Sequence, residues 1–144
     1  MKEIVCYFSA TGHTRKLAAL IAQELACPCV EIVPEEVYTT ADLNWLNKKS
    51  RSSLEMADKL ARPKMLPLLH DPSQYDCLYL GFPIWWYVAP TLINTFLEAY
   101  DFSGKKIKLF ATSGGSGFGN TLSELQPSAP NAEFEETKVS RLII

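Results

Sequence analysis

Short, unbroken apolar runs alternate with helical patterns along most of the chain, and that alternation leaves few folds open. Ile4-Val5-Cys6-Tyr7-Phe8 is the first run. A strand with one wet face would alternate apolar and polar residues, so a continuous run belongs to a strand covered on both faces, as in a parallel sheet. Behind it, Leu17, Leu20, Ile21 and Leu25 recur at helical spacing and predict an amphipathic helix from Thr14 to Ala26. Val30 to Val33 predicts a second strand stopped by Pro34, and Cys77-Leu78-Tyr79-Leu80 a third, closed by Gly81. Pro90 suits the first position of a helix whose buried stripe is Leu92, Ile93, Phe96, Leu97 and Tyr100. Ile107 to Ala111 predicts a fourth strand, Leu122 to Leu125 a short helix ended by Pro127, and Phe134 to Ile144 a fifth strand. From Thr40 to Arg62 the chain is polar, and Leu43, Leu46, Leu54 and Met56 meet helical spacing only approximately. This stretch is expected to be a helix-containing insertion. Five strands joined by right-handed helical crossovers make a doubly wound α/β sheet, here in a single domain over residues 1–144.

Composition narrows the function classes. The 144 residues are 47% hydrophobic and 21% charged, which excludes disordered, collagenous and coiled-coil chains. A formal net charge of −2 carries no basic excess for nucleic acid. No run approaches the roughly 18 apolar residues of a membrane span. Met1-Lys2-Glu3 leads straight into a strand-like segment rather than a signal sequence, so the expected location is the cytoplasm. Four cysteines do not make a disulfide framework. Cys6 and Cys77 lie in apolar runs, Cys27-Pro-Cys29 is too short for the usual redox C-x-x-C, and no His or Cys cluster completes a metal site.

In such sheets ligands bind beyond the carboxyl ends of the strands, which directs attention to the loops after strands one, three and four. Ser9-Ala10-Thr11-Gly12-His13-Thr14 supplies three hydroxyls, a glycine and the free N–H groups of a helix start, a set suited to phosphate. It lacks the G-x-x-x-x-G-K-[ST] of a nucleotide triphosphatase and the G-x-G-x-x-G of a dinucleotide fold. Cys6 lies before the loop and Arg15 too far along it for a phosphatase nucleophile and its arginine. Arg15 and Lys16 in the first helical turn oppose the helix dipole by roughly 0.3–1 kcal/mol each, a cost a bound dianion would offset. His13 is read as a hydrogen-bond donor, and no general base or nucleophile is expected in the site.

The second loop, Gly81-Phe82-Pro83-Ile84-Trp85-Trp86-Tyr87-Val88-Ala89-Pro90, puts three consecutive aromatics at a strand end, where a planar ligand would explain them by stacking. The third, Thr112-Ser113-Gly114-Gly115-Ser116-Gly117-Phe118-Gly119-Asn120, has four glycines that let backbone approach a ligand closely.

Together the loops resemble those of the flavodoxins. The first looks like the phosphate loop T/S-x-T-G-x-T. The second is similar to the G-x-P-x-W-W-x-x-x-P run of a subfamily, and the third to its T-S-G-G-S-G loop. The resemblance covers Met1 to about Ala132. It implies a strand order 2-1-3-4-5 and an FMN cofactor. The FMN phosphate would lie against Ser9, Ala10, Thr11, Gly12, His13 and Thr14. Pro83, Ile84, Trp85, Trp86 and Tyr87 would flank the flavin ring, and Thr112, Ser113, Gly114, Gly115, Ser116 and Gly117 would line its other edge. One tryptophan of the pair, not both, is expected to stack on the ring, since neighbours in an extended loop point to opposite sides.

The implied role is electron transfer with a redox protein or a small redox molecule as partner. An FMN-dependent NAD(P)H:quinone-type oxidoreductase and a non-catalytic flavin-bearing interaction module stay open as alternatives. Three departures from the flavodoxin pattern bear on this. The segment Thr40–Lys64 carries six cations (Lys48, Lys49, Arg51, Lys59, Arg62, Lys64) against three anions (Asp42, Glu55, Asp58). Neither flavin loop contains Asp or Glu. No segment remains for the family's last helix after strand five, so an uncovered apolar patch is expected beside helix one, with a homodimer as one way to cover it.

Overall fold

A computed structural model describes residues 2–141. The elements are β1 (Glu3–Tyr7), α1 (His13–Leu25), β2 (Cys29–Glu31), α2 (Arg51–Ala57), β3 (Cys77–Pro83), α3 (Thr91–Ala99), β4 (Lys106–Ser113), α4 (Thr121–Leu125) and β5 (Glu133–Arg141). Two short 3-10 turns, Pro72–Gln74 and Gln126–Ser128, precede β3 and follow α4. The five strands form one sheet in the order β2-β1-β3-β4-β5, every neighbouring pair parallel, as a doubly wound flavodoxin-like fold requires.

Several element limits differ from those expected. β3 does not close at Gly81 but pairs with β4 as far as Pro83 opposite Thr112. β2 spans Cys29–Glu31, shorter and earlier than the expected Val30–Val33; the last bond to β1 is from the Ile32 N–H to the Tyr7 carbonyl at 2.6 Å, two residues before Pro34, which has no N–H to donate. The expected fifth strand ran to Ile144; the strand spans Glu133–Arg141, and 142–144 lie outside the described residues. β5 carries a bulge opposite Leu109/Phe110, filled by the Thr137 hydroxyl donating to the Leu109 carbonyl at 2.8 Å.

The two faces of the sheet are unequal. Ile4, Cys6, Phe8, Leu78, Leu80, Phe82, Ile107 and Leu109 point to one side and meet Leu92, Ile93, Phe96 and Leu97 of α3. Each such fully buried large side chain contributes about 1.5–3 kcal/mol over its exposed state. Asn94 of α3 ties this layer together, its amide donating to the Glu124 carbonyl at 3.0 Å and to the Ser128 hydroxyl at 2.9 Å. On the other side a smaller cluster holds Val5, Tyr7, Phe110, Ala18 and Ala22. The small buried residues of α1, Thr14, Ala18 and Ala22, let that helix lie close to the strands.

Beside α1 the expected apolar patch is absent among the described residues. The row continuing from Val5 through Tyr79 runs to Lys108 and Glu135, and the row below it pairs Cys77, Lys106 and Glu133. Lys108 sits over the Tyr79 ring, 5.5 Å from its centroid, and Glu133 and Glu135 are exposed. Charged side chains alternate with the buried ones of β4 and with the partly buried Phe134 of β5, so the outer strands are wet on this face.

The segment between β2 and β3 is an ordered wall. Tyr38, 8% exposed, donates its phenol to Glu55, while the Arg51 guanidinium lies 3.9 Å above its ring and pairs with Glu55 at 3.0 Å. Burial, with the neighbouring carboxylate, pushes the Tyr38 phenol far above its ordinary value. α2 starts at Ser50, whose hydroxyl accepts from the Ser53 N–H.

Candidate functional site

At the carboxyl end of β1 the chain turns through Ser9–Gly12 into α1. Gly12 takes φ +95°, a left-handed conformation that side-chain-bearing residues rarely adopt, and its N–H donates to the Ser9 hydroxyl at 3.0 Å. The Thr11 hydroxyl is paired with His13 Nδ1 at 2.8 Å. No side chain caps α1, whose first N–H groups are therefore open to a ligand. Thr14 is buried and shares a hydrogen bond with the Thr112 hydroxyl at 2.8 Å, which locks the first loop to the third. Arg15 does not face an anion site here. It pairs with Glu31 of β2 at 2.8 Å, and that carboxylate answers the charge a ligand was expected to balance.

The second loop is a tight turn. The Trp85 N–H donates to the Val88 carbonyl at 2.9 Å and the Val88 N–H to the Trp85 carbonyl at 3.1 Å. Between them Trp86 (φ +49°) and Tyr87 (φ +65°) both lie in the left-handed region, where glycine or asparagine would be expected. Trp85 turns inward, edge-on to Phe8 (centroids 5.8 Å apart) and to Tyr38 (5.5 Å). Trp86 turns outward and is 44% exposed. The two aromatics thus split between core and surface. Two left-handed aromatics at a loop tip store strain of order 1–2 kcal/mol each. Tyr87→Gly is accordingly expected to raise the melting temperature of the ligand-free protein by roughly 1–4 °C, after allowing for glycine's extra unfolded-state entropy. A lower melting temperature in a thermal scan would contradict the strained turn.

The third loop is organised by Ser113, whose hydroxyl accepts from the Gly115 N–H at 3.1 Å and the Ser116 N–H at 2.8 Å. Gly119 (φ +59°) is the close approach, but to the second loop rather than to a ligand. A Cβ there would lie 2.8 Å from the Tyr87 Cβ, and the next residue, Asn120, donates its N–H to the Tyr87 carbonyl at 2.9 Å.

These loops enclose a cleft of about 530 Å³ lined by Ala10, Thr11, Pro83, Ile84, Trp85, Trp86, Thr112, Ser113 and Gly114, with Leu43, Trp45 and Ser52 completing it. Ser9, Gly12, His13 and Thr14 flank it in the first loop; Tyr87, Gly115, Ser116 and Gly117 lie outside its wall. Leu43, Trp45 and Ser52 are the residues sequence reasoning missed. The Trp45-Leu46 pair inside a polar stretch was the available signal. No carboxylate lines the cleft among the described residues. Burial pushes the Cys6 thiol well up, so it offers no nucleophile beside the first loop. Among the described residues no His/Cys/Asp/Glu group could hold a metal, and no helix is long and apolar enough to cross a membrane.

The sequence profile of a family described as Flavodoxin matches residues 2–142. Among solved structures, one described as a flavoprotein from Bacteroides uniformis ATCC 8492 superposes with a TM-score of 0.90 at 46% identity, over 96% of this chain and 88% of that one. A second, from Bacteroides eggerthii DSM 20697, gives 0.91 at 41% identity over 96% and 87%. A flavoprotein from Lactobacillus acidophilus NCFM, in complex with FMN, gives 0.75 at 22% identity over 96% and 92%. Nothing among the curated proteins matches.

Proposed function

Since the chain belongs to the flavodoxin family, we propose that it holds one FMN in the 530 Å³ cleft and uses it to transfer electrons. The observation that carries this reading is the mix of groups around the cleft. An uncapped helix start and a hydroxyl-bearing loop flank it, and two solvent-facing indoles, Trp45 and Trp86, line it. A phosphate suits the first and a flat ring the second. The residues of the chain match the group, and the FMN-bound relative from Lactobacillus acidophilus shares the fold.

Bound FMN supplies one- and two-electron chemistry. The protein contributes the rest. The α1 N-terminus and the Ser9–Gly12 turn would hold the phosphate, with Thr11 and His13 as hydrogen-bonding side chains. Trp86 and Trp45 would cover the ring and exclude water from it. Thr112, Ser113 and Gly114 would meet its edge with a hydroxyl and open backbone groups. Because no carboxylate lines the cleft among the described residues, none in its wall would oppose negative charge gained there on reduction.

Acid treatment of the purified yellow protein should release FMN, one per chain, with no FAD. Adding FMN to stripped protein at a hundred times its dissociation constant should stabilise it by about 2.7 kcal/mol, a rise of roughly 5–11 °C in melting temperature. Stoichiometric FAD, or a colourless protein whose melting temperature ignores FMN, would overturn the reading.

A second reading, direct reduction of small molecules such as quinones from a nicotinamide cofactor, is favoured by a depression adjoining the cleft. Steady-state oxidation of NADPH and NADH, with and without quinone, separates an enzyme from a carrier served by protein partners. The reduced-thiol composition is consistent with a cytoplasmic role.

A further inference from the structure

Trp45 and Trp86 line more than one cavity. Beyond them lies a second concavity of about 580 Å³, whose lining also includes Leu46, Lys48, Ser53 and Met56. We propose that this depression is a subsite for a small planar aromatic anion, bound next to the cofactor. The proposal rests on reading the neighbouring cleft as the FMN site.

Three observations point to that occupant. The volume falls in the range of small-molecule sites, about 300–1,000 Å³. Its walls hold a contiguous exposed apolar surface, with Trp45 67%, Leu46 74% and Trp86 44% exposed, and neighbouring indoles favour a flat aromatic partner. Its only charged lining residue among the described residues is Lys48. Of the other cations in this segment, Arg51 pairs with Glu55, Lys59 with Glu124 and Arg62 with Glu98, while Lys49 and Lys64 do not line the depression. Lys48 has no ion pair among the described residues. The local carboxylates are committed elsewhere: Glu55 to Arg51 and Tyr38, Asp42 to the Thr39 N–H, Asp58 to the Leu60 N–H. An uncommitted ammonium beside two indoles selects a flat ring in a molecule that also carries negative charge. Ser53 adds a hydroxyl that accepts from Ser50 and keeps its own proton to donate. A nicotinamide nucleotide, anionic through its phosphates, and an acidic quinone share this chemistry.

Calorimetric titration of the FMN-loaded protein tests the subsite with NADP⁺ and 1,2-naphthoquinone-4-sulfonate as probes and uncharged 1,4-naphthoquinone as control. Met56→Trp fills the depression from a position that does not itself line the FMN cleft, and Lys48→Ala takes away the ammonium, with 1,4-naphthoquinone as the control for the lost aliphatic stem. At least one anionic probe should bind saturably, and the one that does identifies the source of the ring. Met56→Trp should weaken it about tenfold or more. Lys48→Ala should weaken it roughly threefold while leaving 1,4-naphthoquinone unaffected. FMN affinity, measured by separate titration, should stay unchanged in both variants. The subsite is overturned if neither anionic probe binds, if FMN displaces the probe, or if Lys48→Ala affects charged and uncharged rings alike. Loss of FMN binding by the unaltered protein would instead remove the flavin reading.

Discussion

Trp86→Ala should bind FMN about 5- to 150-fold more weakly than the parent protein while melting within a few degrees of it. Trp85→Ala should do the reverse. Adjacent in sequence and chemically identical, the two indoles end in different environments because a two-residue turn sends one in and one out. Trp86 sits at the tip, 44% exposed, and borders the cleft. A flat ring stacked on it would gain about 1–3 kcal/mol, by analogy with bases on aromatic side chains. Trp85 also borders the cleft, yet its ring is held edge-on between Phe8 and Tyr38. Truncating it leaves a hole at the junction of β1, the second loop and the Tyr38 segment, at a cost of about 3 kcal/mol or roughly 6–12 °C. FMN fluorescence should be quenched on binding in the Trp85 variant and substantially recovered in the Trp86 variant. Equal effects of the two substitutions on affinity, or a stable Trp85→Ala protein, would contradict the division.

What the residues revealed beforehand follows from how local each signal is. Continuous apolar runs report a strand's burial without reference to any partner, so β1, β3 and β4 were legible from Ile4, Leu78 and Ile107 and their neighbours. Gly12 was legible because a loop leading straight into a helix needs a left-handed turn there. The Tyr38 segment was not, because what orders it is long-range. A buried phenol meets a carboxylate 17 residues on, and an arginine stacks above the ring. None of this has a period. Trp45 was hidden for the same reason, as its role depends on where that clamp carries the chain. The Gly-rich loop was identified as a close approach, but only the folded chain reveals that Gly119 approaches Tyr87. Arg15 was read for its effect on the helix dipole, while its partner Glu31 lies on the neighbouring strand.

Gly81→Ala should be strongly destabilising although it adds a single methyl. The residue was expected to end β3, as glycine after an apolar run often does. Instead the strand passes through it, paired with Tyr7 on one side and Phe110 on the other, and its carbonyl accepts from the Phe8 N–H at 3.0 Å. Glycine is required because the Phe110 ring occupies the space a side chain would take. A Cβ at this position would lie 2.9 Å from the Phe110 Cδ2 and nearer still to two other ring atoms. The ring cannot easily retreat, since it is wholly buried with Val5, Tyr7, Ala18 and Ala22 under α1. Relief must come from displacing the ring or spreading β3 from β4. Overpacking of this kind costs about 3 kcal/mol, a fall of roughly 6–12 °C in melting temperature. The loss should reach function, because the same pairing carries the second loop. Two residues on, Pro83 faces Thr112, and the Ile84 N–H donates to the Thr112 carbonyl at 2.9 Å. Folded Gly81→Ala protein should therefore bind FMN more weakly although residue 81 lines no part of the cleft. Adding Phe110→Leu should recover part of both losses, since a smaller side chain vacates the space the new methyl needs. A Gly81→Ala protein that melts like the parent, or a double variant less stable than the single one, would refute the packing argument.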